Sequence, residues 1–93
     1  MENNKQHINI SIHGMVQGVG FRFFAKNQAR ILGIKGLVKN MRDGTVYIEA
    51  EGNPTQINEF IKACKKGPSS ARVTNVETIE DKVKNFVHFD VSF

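Results

Sequence analysis

Alternating hydrophobic and polar residues in the first half of the chain predict β-strands. Every second residue from position 8 to position 12 is isoleucine with polar residues between, as in a strand that is buried on one face. The pair Asp43-Gly44 is a strong hairpin signal. It lies between the β-rich residues 36–42 and the alternating residues 46–51, so these two segments predict an antiparallel hairpin.

Two further strands are predicted in the last quarter of the chain. Residues 87–93 alternate between apolar and polar positions and form the final predicted strand. Residues 71–79 also favour a strand, but Val73, Val76 and Ile79 do not fit a period of two. An extra residue would explain this spacing, so we expect a bulge or an irregular sheet edge there.

Apolar residues at helical spacing predict two helices. The first begins at Phe21, after a glycine-rich stretch, and ends at Gly33, which can adopt the left-handed conformation that follows many helices. The second has Asn53 as its N-cap and Gln56 at the capping-box position. It ends before Gly67, at which the chain can turn.

The order of these elements is βαββαβ followed by a terminal strand, which is typical of an α+β fold. We therefore expect a ferredoxin-like sandwich, an antiparallel sheet of four to five strands with two helices packed on one face. A chain of 93 residues is long enough for one core. Residues 7–93 are predicted to form a single domain after a flexible N-terminal tail, residues 1–6.

Composition restricts the classes of function. No apolar segment approaches the ~18 residues that span a bilayer, and the first residues are polar. Cys64 is the only cysteine, and His7, His13 and His88 are widely spaced, so no metal-binding motif is present. We expect a cytoplasmic protein without a cofactor, a metal or a membrane partner.

Positive charge is concentrated in the first half of the chain. Residues 1–44 contain seven basic and two acidic residues, whereas residues 45–93 contain six basic and seven acidic ones. The excess coincides with the glycine-rich stretch and suggests an anionic ligand there. The net charge of +4 is too small to indicate a nucleic acid, but it is compatible with a phosphate.

A glycine-rich loop separates the first strand from the first helix. Loop amides and the free N–H groups of a helix N-terminus can converge on one oxyanion, although a purely structural turn is an alternative. Arg22 supports the anion site, because an arginine in a first helical turn opposes the helix dipole unless an anion is bound. The loop lacks the Gly-Lys-Ser/Thr ending of a nucleotide loop. Its residues are Met15, Val16, Gln17, Gly18, Val19 and Gly20.

Asn40 is the second candidate residue, near the end of the second predicted strand and on the face of Val38 and Arg42. A carboxamide is unusual in a strand. Its one acceptor and two donors can orient a water molecule without changing the charge of a site. A surface or turn contact is the alternative role.

Two segments make this sequence similar to the acylphosphatase family. They are Gly14-Met15-Val16-Gln17-Gly18-Val19-Gly20-Phe21-Arg22 and Gly36-Leu37-Val38-Lys39-Asn40-Met41-Arg42-Asp43-Gly44-Thr45-Val46. The resemblance extends over nearly the whole chain. Met15 and Leu37 depart from the commonest form of the family, in which a basic residue and a large aromatic residue are frequent at these positions.

The resemblance implies a metal-independent hydrolase that cleaves the carboxyl–phosphate anhydride of acyl phosphates into a carboxylate and inorganic phosphate. Carried over by position, Arg22 would bind the phosphoryl group together with the backbone amides of residues 15–20. Asn40 would hold the attacking water. A phosphate oxygen of the substrate would accept the water's proton, and the departures at Met15 and Leu37 would affect rate and substrate fit.

Alternatives from other classes stay open at this point. A regulatory module that binds phosphate or another anion would have the same loop without turnover. An RNA-binding module shares the topology, but it stacks bases on aromatic residues of strands one and three, where only Tyr47 is present. A metallochaperone needs a cysteine pair, and an acylphosphatase-like module of a carbamoyl-phosphate-processing protein would belong to a larger chain. We expect a monomer that does not bind nucleic acid.

Overall fold

The structure is a computed structural model that describes residues 4–93. Both predicted helices and all five predicted strands are present. In chain order the elements are β1 (Gln6–Met15), α1 (Phe21–Leu32), β2 (Lys35–Asn40), β3 (Val46–Gly52), α2 (Pro54–Lys66), β4 (Arg72–Asp81) and β5 (Phe89–Val91).

The five strands form one sheet in the order β4-β1-β3-β2-β5. β1 pairs antiparallel with β3 and β4, and β2 pairs antiparallel with β3. The sheet is mixed rather than wholly antiparallel, because β5 runs parallel to β2. The chain leaves β4 at one edge and crosses to the other edge, where it runs in the same direction as β2.

The core lies between the helices and one face of the sheet. Ile10 and Ile12 of β1 are fully buried, as the alternation predicts, and Ile48 of β3 lies beside them. Phe60 and Cys64 of α2 are also fully buried. Burial raises the pKa of the Cys64 thiol to about 12, so this cysteine is a packing residue rather than a nucleophile.

The two helices end as their sequences predict. The Asn53 side chain accepts a hydrogen bond from the Gln56 N–H at 2.8 Å, and the Gln56 side chain accepts one from the Asn53 N–H at 2.9 Å. This is the predicted capping box. Gly33 follows α1 in the left-handed conformation, with φ of 77°.

The pairing of β1 with β4 is irregular where β1 leads into the glycine-rich loop. His13 pairs with Asn75 but Gly14 pairs with Val73, which leaves Thr74 as the extra residue of a bulge. A Cβ atom on Gly14 would lie 2.0 Å from the carbonyl oxygen of Arg72, and the φ of Gly14 is 125°. The predicted irregular edge is therefore present, and only glycine fits opposite it.

Element boundaries differ from the predictions at the ends of strands. β5 is limited to Phe89–Val91, while Val87 and His88 precede it. β2 stops at Asn40 rather than at residue 42. β1 begins at Gln6, which pairs with Gly52, and residues 1–3 of the predicted flexible tail lie outside the described residues. No helix within residues 4–93 is long and apolar enough to cross a membrane.

Residues 82–88, here called the crossover segment, lie against the sheet face opposite the helices. They cover His7 and Glu51, which are 0% and 1% exposed. His7 Nδ1 lies 2.7 Å from Glu51 Oε2, and the Phe86 ring stacks on the imidazole at 5.9 Å. Glu51 also accepts hydrogen bonds from the backbone N–H groups of Lys84 and Phe86. The buried Glu51 carboxylate thus links the crossover segment to β3 by hydrogen bonds.

Candidate active site

The glycine-rich loop is held by two of its side chains and bent at two of its glycines. Val16 is 1% exposed, and Val19 packs against the same core. Gly18 and Gly20 have φ angles of 75° and 79°, which side chains with a Cβ atom rarely adopt. The valines therefore fix the position of the loop, and the glycines allow its path into α1.

The backbone N–H groups of this loop are free to bind a ligand. The hydrogen bonds within residues 4–93 include none donated by the N–H groups of residues 17–23. The first N–H bonded in α1 is that of Phe24, which donates to the Gly20 carbonyl at 3.0 Å. Gly20 is the N-cap but has no side chain to occupy these donors, and the first turn of α1 contains no acidic residue. This arrangement favours an anion.

The side chain of Gln17 connects the loop to the β2–β3 hairpin. Its Nε2 donates to the Met41 carbonyl at 2.7 Å and to the Thr45 carbonyl at 2.9 Å. Met41 directly follows Asn40, so this contact joins the two segments that carry the sequence motifs. We predicted only a backbone role for Gln17, and nothing in the local sequence indicates that its carboxamide reaches the hairpin.

Asn40 is the last residue of β2, on the sheet face that the helices cover. It lies two residues after Val38, which is fully buried on that face, and pairs with Val46 of β3. Within residues 4–93 the Asn40 side chain makes no hydrogen bond with another protein group. Its carboxamide is only partly buried and remains available to a ligand or water.

The neighbouring hairpin connection is stabilised by Asp43. Its Oδ1 accepts hydrogen bonds from the Thr45 hydroxyl at 2.7 Å and the Thr45 N–H at 3.0 Å. These bonds lower the pKa of the Asp43 carboxyl. The carboxylate is therefore used to hold the turn, and it is a poor candidate for a general base.

The Arg22 guanidinium reaches from the first turn of α1 to the end of the chain. Its Nη1 donates to the Ser92 carbonyl at 2.9 Å, and the guanidinium carbon lies 4.7 Å from the centroid of the Phe93 ring. The Ser92 N–H donates to the Val38 carbonyl at 2.8 Å. This chain of contacts brings Arg22 close to the end of β2, where Asn40 lies. The contacts at Ser92 and Phe93 were not predicted.

The two departures from the family pattern lie in different places. Met15 is at the start of the loop and its side chain is 69% exposed. Leu37 and Asn40 are three residues apart on β2, so their side chains lie on opposite faces of the sheet. Leu37 pairs with Glu49 of β3 and lies on the face away from the helices. Met15 therefore borders the candidate site, and Leu37 does not.

His13 and His88, for which the sequence predicts no catalytic role, lie outside this site. His13 Nε2 lies 2.7 Å from Glu77 Oε1 on the sheet face opposite the helices. We expected His88 on a strand face, but it precedes β5 and is exposed. Within residues 4–93 no cluster of His, Cys, Asp or Glu side chains is arranged to hold a metal ion.

Comparison with known proteins identifies the family of this chain. The acylphosphatase family model matches residues 8–91. The chain belongs to the acylphosphatase family. An acylphosphatase from Archaeoglobus fulgidus is 45% identical over 86 residues, which is 92% of this chain and 97% of the relative. The acylphosphatase of Bacillus subtilis superposes with a TM-score of 0.92 at 34% identity, covering 95% and 99% of the two chains.

Membership in the acylphosphatase family makes the chain a hydrolase of acyl phosphates, as the sequence resemblance implied. The ferredoxin-like fold agrees with that of its structural neighbours. The chain also matches part of a larger protein, full-length HypF in its phosphate- and nucleotide-bound form, with a TM-score of 0.87 and 34% identity. That match covers 97% of this chain but only 12% of HypF.

Proposed function

We propose that this acylphosphatase binds the phosphoryl group of its substrate between the glycine-rich loop and Arg22, and that Asn40 orients the attacking water. Residues 15–20 supply the loop, with the backbone N–H groups of residues 17–23 as donors. The run of free N–H groups that ends beside Arg22 is the observation that carries this assignment.

The proposed reaction needs little covalent chemistry from the protein. The water oxygen attacks phosphorus, the bond between phosphorus and the acyl oxygen breaks, and the carboxylate leaves with the electron pair. The water's proton goes to a phosphate oxygen, so the products are a carboxylate and inorganic phosphate. Because a carboxylate is a good leaving group, positioning and charge stabilisation by Arg22, the loop and Asn40 are sufficient.

The remaining expectations belong to the same proposal. Phosphoryl binding by N–H groups and a guanidinium requires no metal ion, so we propose activity without a metal or another cofactor. We also propose a cytoplasmic monomer that acts on a small acyl phosphate and has no nucleic acid partner. The family assignment favours this enzyme over the regulatory anion-binding module.

Hydrolysis of acetyl phosphate in the presence of a metal chelator tests the proposal. We compare the wild-type protein with Asn40→Ala, and measure the affinity of both for inorganic phosphate. Loss of an oriented donor lowers kcat by roughly 10²–10³, while phosphate affinity changes little. Ser69→Ala, at an exposed turn position after α2, serves as the matched control and should retain wild-type kcat.

Two results would contradict the proposal. If the folded wild-type protein binds phosphate but does not hydrolyse acetyl phosphate, the chain is the anion-binding module. If Asn40→Ala retains kcat within about threefold of wild type, Asn40 does not orient the water, because the expected loss is roughly 10²–10³.

A further inference from the structure

A groove lies between α1 and β5, next to the proposed phosphoryl site. Its volume is about 500 Å³. Lys26 and Arg30 line it from α1, and Lys35 and His88 line it from the sheet side. Asp90 is its one acidic lining residue. The groove thus has three basic residues and one acidic residue in its lining, and its local charge is positive.

The three cations of this groove make no direct ion pair with a carboxylate of the described residues. Within residues 4–93, no carboxylate oxygen lies within 4.0 Å of the charged atoms of Lys26, Arg30 or Lys35. Arg30 donates only to the Asn27 side chain, at 2.7 Å. Adjacent unpaired cations on one concave surface favour an anionic group of a ligand.

Two exposed aromatic rings connect the groove to the phosphoryl site. Phe93 packs on the Arg22 guanidinium at 4.7 Å, and its ring centroid lies 6.1 Å from that of Phe23. Phe23 also lines the groove. These two side chains are 60% and 88% exposed, for Phe23 and Phe93 respectively, so they offer an apolar surface between two sites for negative charge.

The spacing along α1 sets the size of the ligand. Arg22, Lys26 and Arg30 are four residues apart, so they follow one side of the helix and each step advances about 6 Å along its axis. A ligand that occupies both sites therefore needs an anionic group one to two helical turns from its phosphoryl group.

We propose that the groove formed by Lys26, Arg30 and Lys35 is a subsite for a second anionic group on the acyl part of the substrate. The preferred substrates are then acyl phosphates of dicarboxylic acids, with an aliphatic chain that passes over Phe93 and Phe23. This inference rests on the proposed function, because it extends the same site.

Matched pairs of substrates test the subsite. Succinyl and adipyl phosphate have a distal carboxylate, whereas butyryl and hexanoyl phosphate have the same chain lengths without it. Wild-type kcat/KM is expected to be about tenfold higher for at least one dicarboxylic substrate than for its matched partner, the gain of one charge-assisted contact. Lys26→Gln and Arg30→Gln should remove most of this preference through KM, while hydrolysis of butyryl and hexanoyl phosphate stays within about twofold of wild type.

Lys65→Gln is the control variant, because it removes one positive charge from the exposed end of α2. It should retain the preference for the dicarboxylic substrates. Equal kcat/KM within both substrate pairs would overturn the subsite while leaving the proposed function intact. The same loss of preference in Lys65→Gln as in Arg30→Gln would also overturn it, in favour of general charge attraction. Absence of hydrolysis with all four substrates would instead contradict the proposed function.

Discussion

Polar clusters lie at both ends of β1, but among residues 4–93 the hydrogen-bonding groups are unpaired at one end and fully paired at the other. At the end of β1, the N–H groups of residues 17–23 and the Asn40 carboxamide have no protein partner within the described residues. At its start, His7 and Glu51 are almost fully buried, and every polar atom of their side chains has a partner. Unused donors mark a site for a ligand, whereas fully satisfied groups indicate a structural role.

The His7–Glu51 cluster would attract attention in a search for catalytic groups. His7 Nε2 lies 2.7 Å from Asn9 Oδ1 and 3.2 Å from Glu49 Oε1, and Nδ1 faces Glu51. Both ring nitrogens thus have an oxygen neighbour within hydrogen-bond distance. The ring has neither a free nitrogen nor access to solvent, so the cluster has no means of acting on a substrate.

The largest expected effect is loss of activity when Arg22 is replaced. Arg22→Ala removes the side-chain cation proposed to bind the phosphoryl group, so kcat/KM for acetyl phosphate should fall by on the order of 10³ or more. Phosphate affinity should fall as well, by about 1.5–3 kcal/mol for a charge-assisted contact. Steady-state kinetics and phosphate titration measure both changes. Arg72→Ala at the exposed start of β4 is the control; equal, small effects of the two variants would contradict the assignment.

The opposite end should respond in stability rather than in activity. In Glu51→Gln an amide group replaces one carboxylate oxygen and faces a donor N–H, so the free energy of unfolding should fall by about 2 kcal/mol. Urea unfolding measures this loss. At a temperature where the variant is folded, kcat for acetyl phosphate should stay within about twofold of wild type. A large fall in kcat with unchanged stability would reverse the roles of the two clusters.

The pH dependence of stability should follow the same carboxylates. Burial by itself would raise the pKa of Glu51, but hydrogen bonds from His7 and from the backbone N–H groups of Lys84 and Phe86 lower it overall, below its usual 4.5. At Glu49 burial also raises the pKa, but hydrogen bonds from Lys84 and Tyr47 lower it overall. Between 4.5 and the lowered pKa values, the unfolded chain binds more protons than the folded protein. The free energy of unfolding therefore falls as the pH drops below about 4.5.

Unfolding by urea at a series of pH values between about 3 and 7 measures this effect. One carboxylate contributes at most about 1.4 kcal/mol per pH unit, so Glu51→Gln should show a shallower acid dependence than the wild-type protein. Identical slopes for the two proteins would mean that Glu51 has no lowered pKa in the folded state.

The smallest predicted effect concerns the link between the loop and the hairpin. Gln17→Ala removes both hydrogen bonds to the Met41 and Thr45 carbonyls, which loosens the loop relative to Asn40. We expect kcat/KM to fall by about tenfold, since small errors in positioning reduce rates strongly. Gln28→Ala in α1 is the control and should match wild type. If both variants retain full activity, the loop does not need this connection.

Most of the fold could be predicted, because it depends on local patterns, and local patterns also singled out Arg22 and Asn40, whose roles stay predictions. Alternation of isoleucines defined β1, and the Asn53 and Gln56 pair defined the start of α2. The parallel pairing of β5 could not be predicted, because it depends on where the crossover segment returns to the sheet. The same limit applies to the Gln17 and Ser92 contacts, each of which joins residues more than 20 positions apart in the chain.

The buried His7–Glu51 pair was missed for a related reason. In the sequence His7 occupies a polar position of an alternating strand, which normally faces solvent. It is buried because residues 82–88 lie over that face, more than 70 positions further along the chain. Burial on the second face of a sheet depends on whether a later segment crosses that face. The period of a single strand contains no information about this.

The strand order β4-β1-β3-β2-β5 also has a consequence for how the protein folds. Only β2 and β3 are both neighbours in the sheet and consecutive strands joined by a short turn. β1 pairs with β3 and β4, which both lie far from it in sequence. The chain entropy lost in bringing these strands together is therefore lost before the pairing energy is gained. Such a topology has a high contact order and should fold in milliseconds to seconds, about the range of other domains built from non-local pairs. During that time the apolar faces of β1 and of the β2–β3 hairpin are exposed. The chain is therefore most open to aggregation before β1 pairs with both β3 and β4.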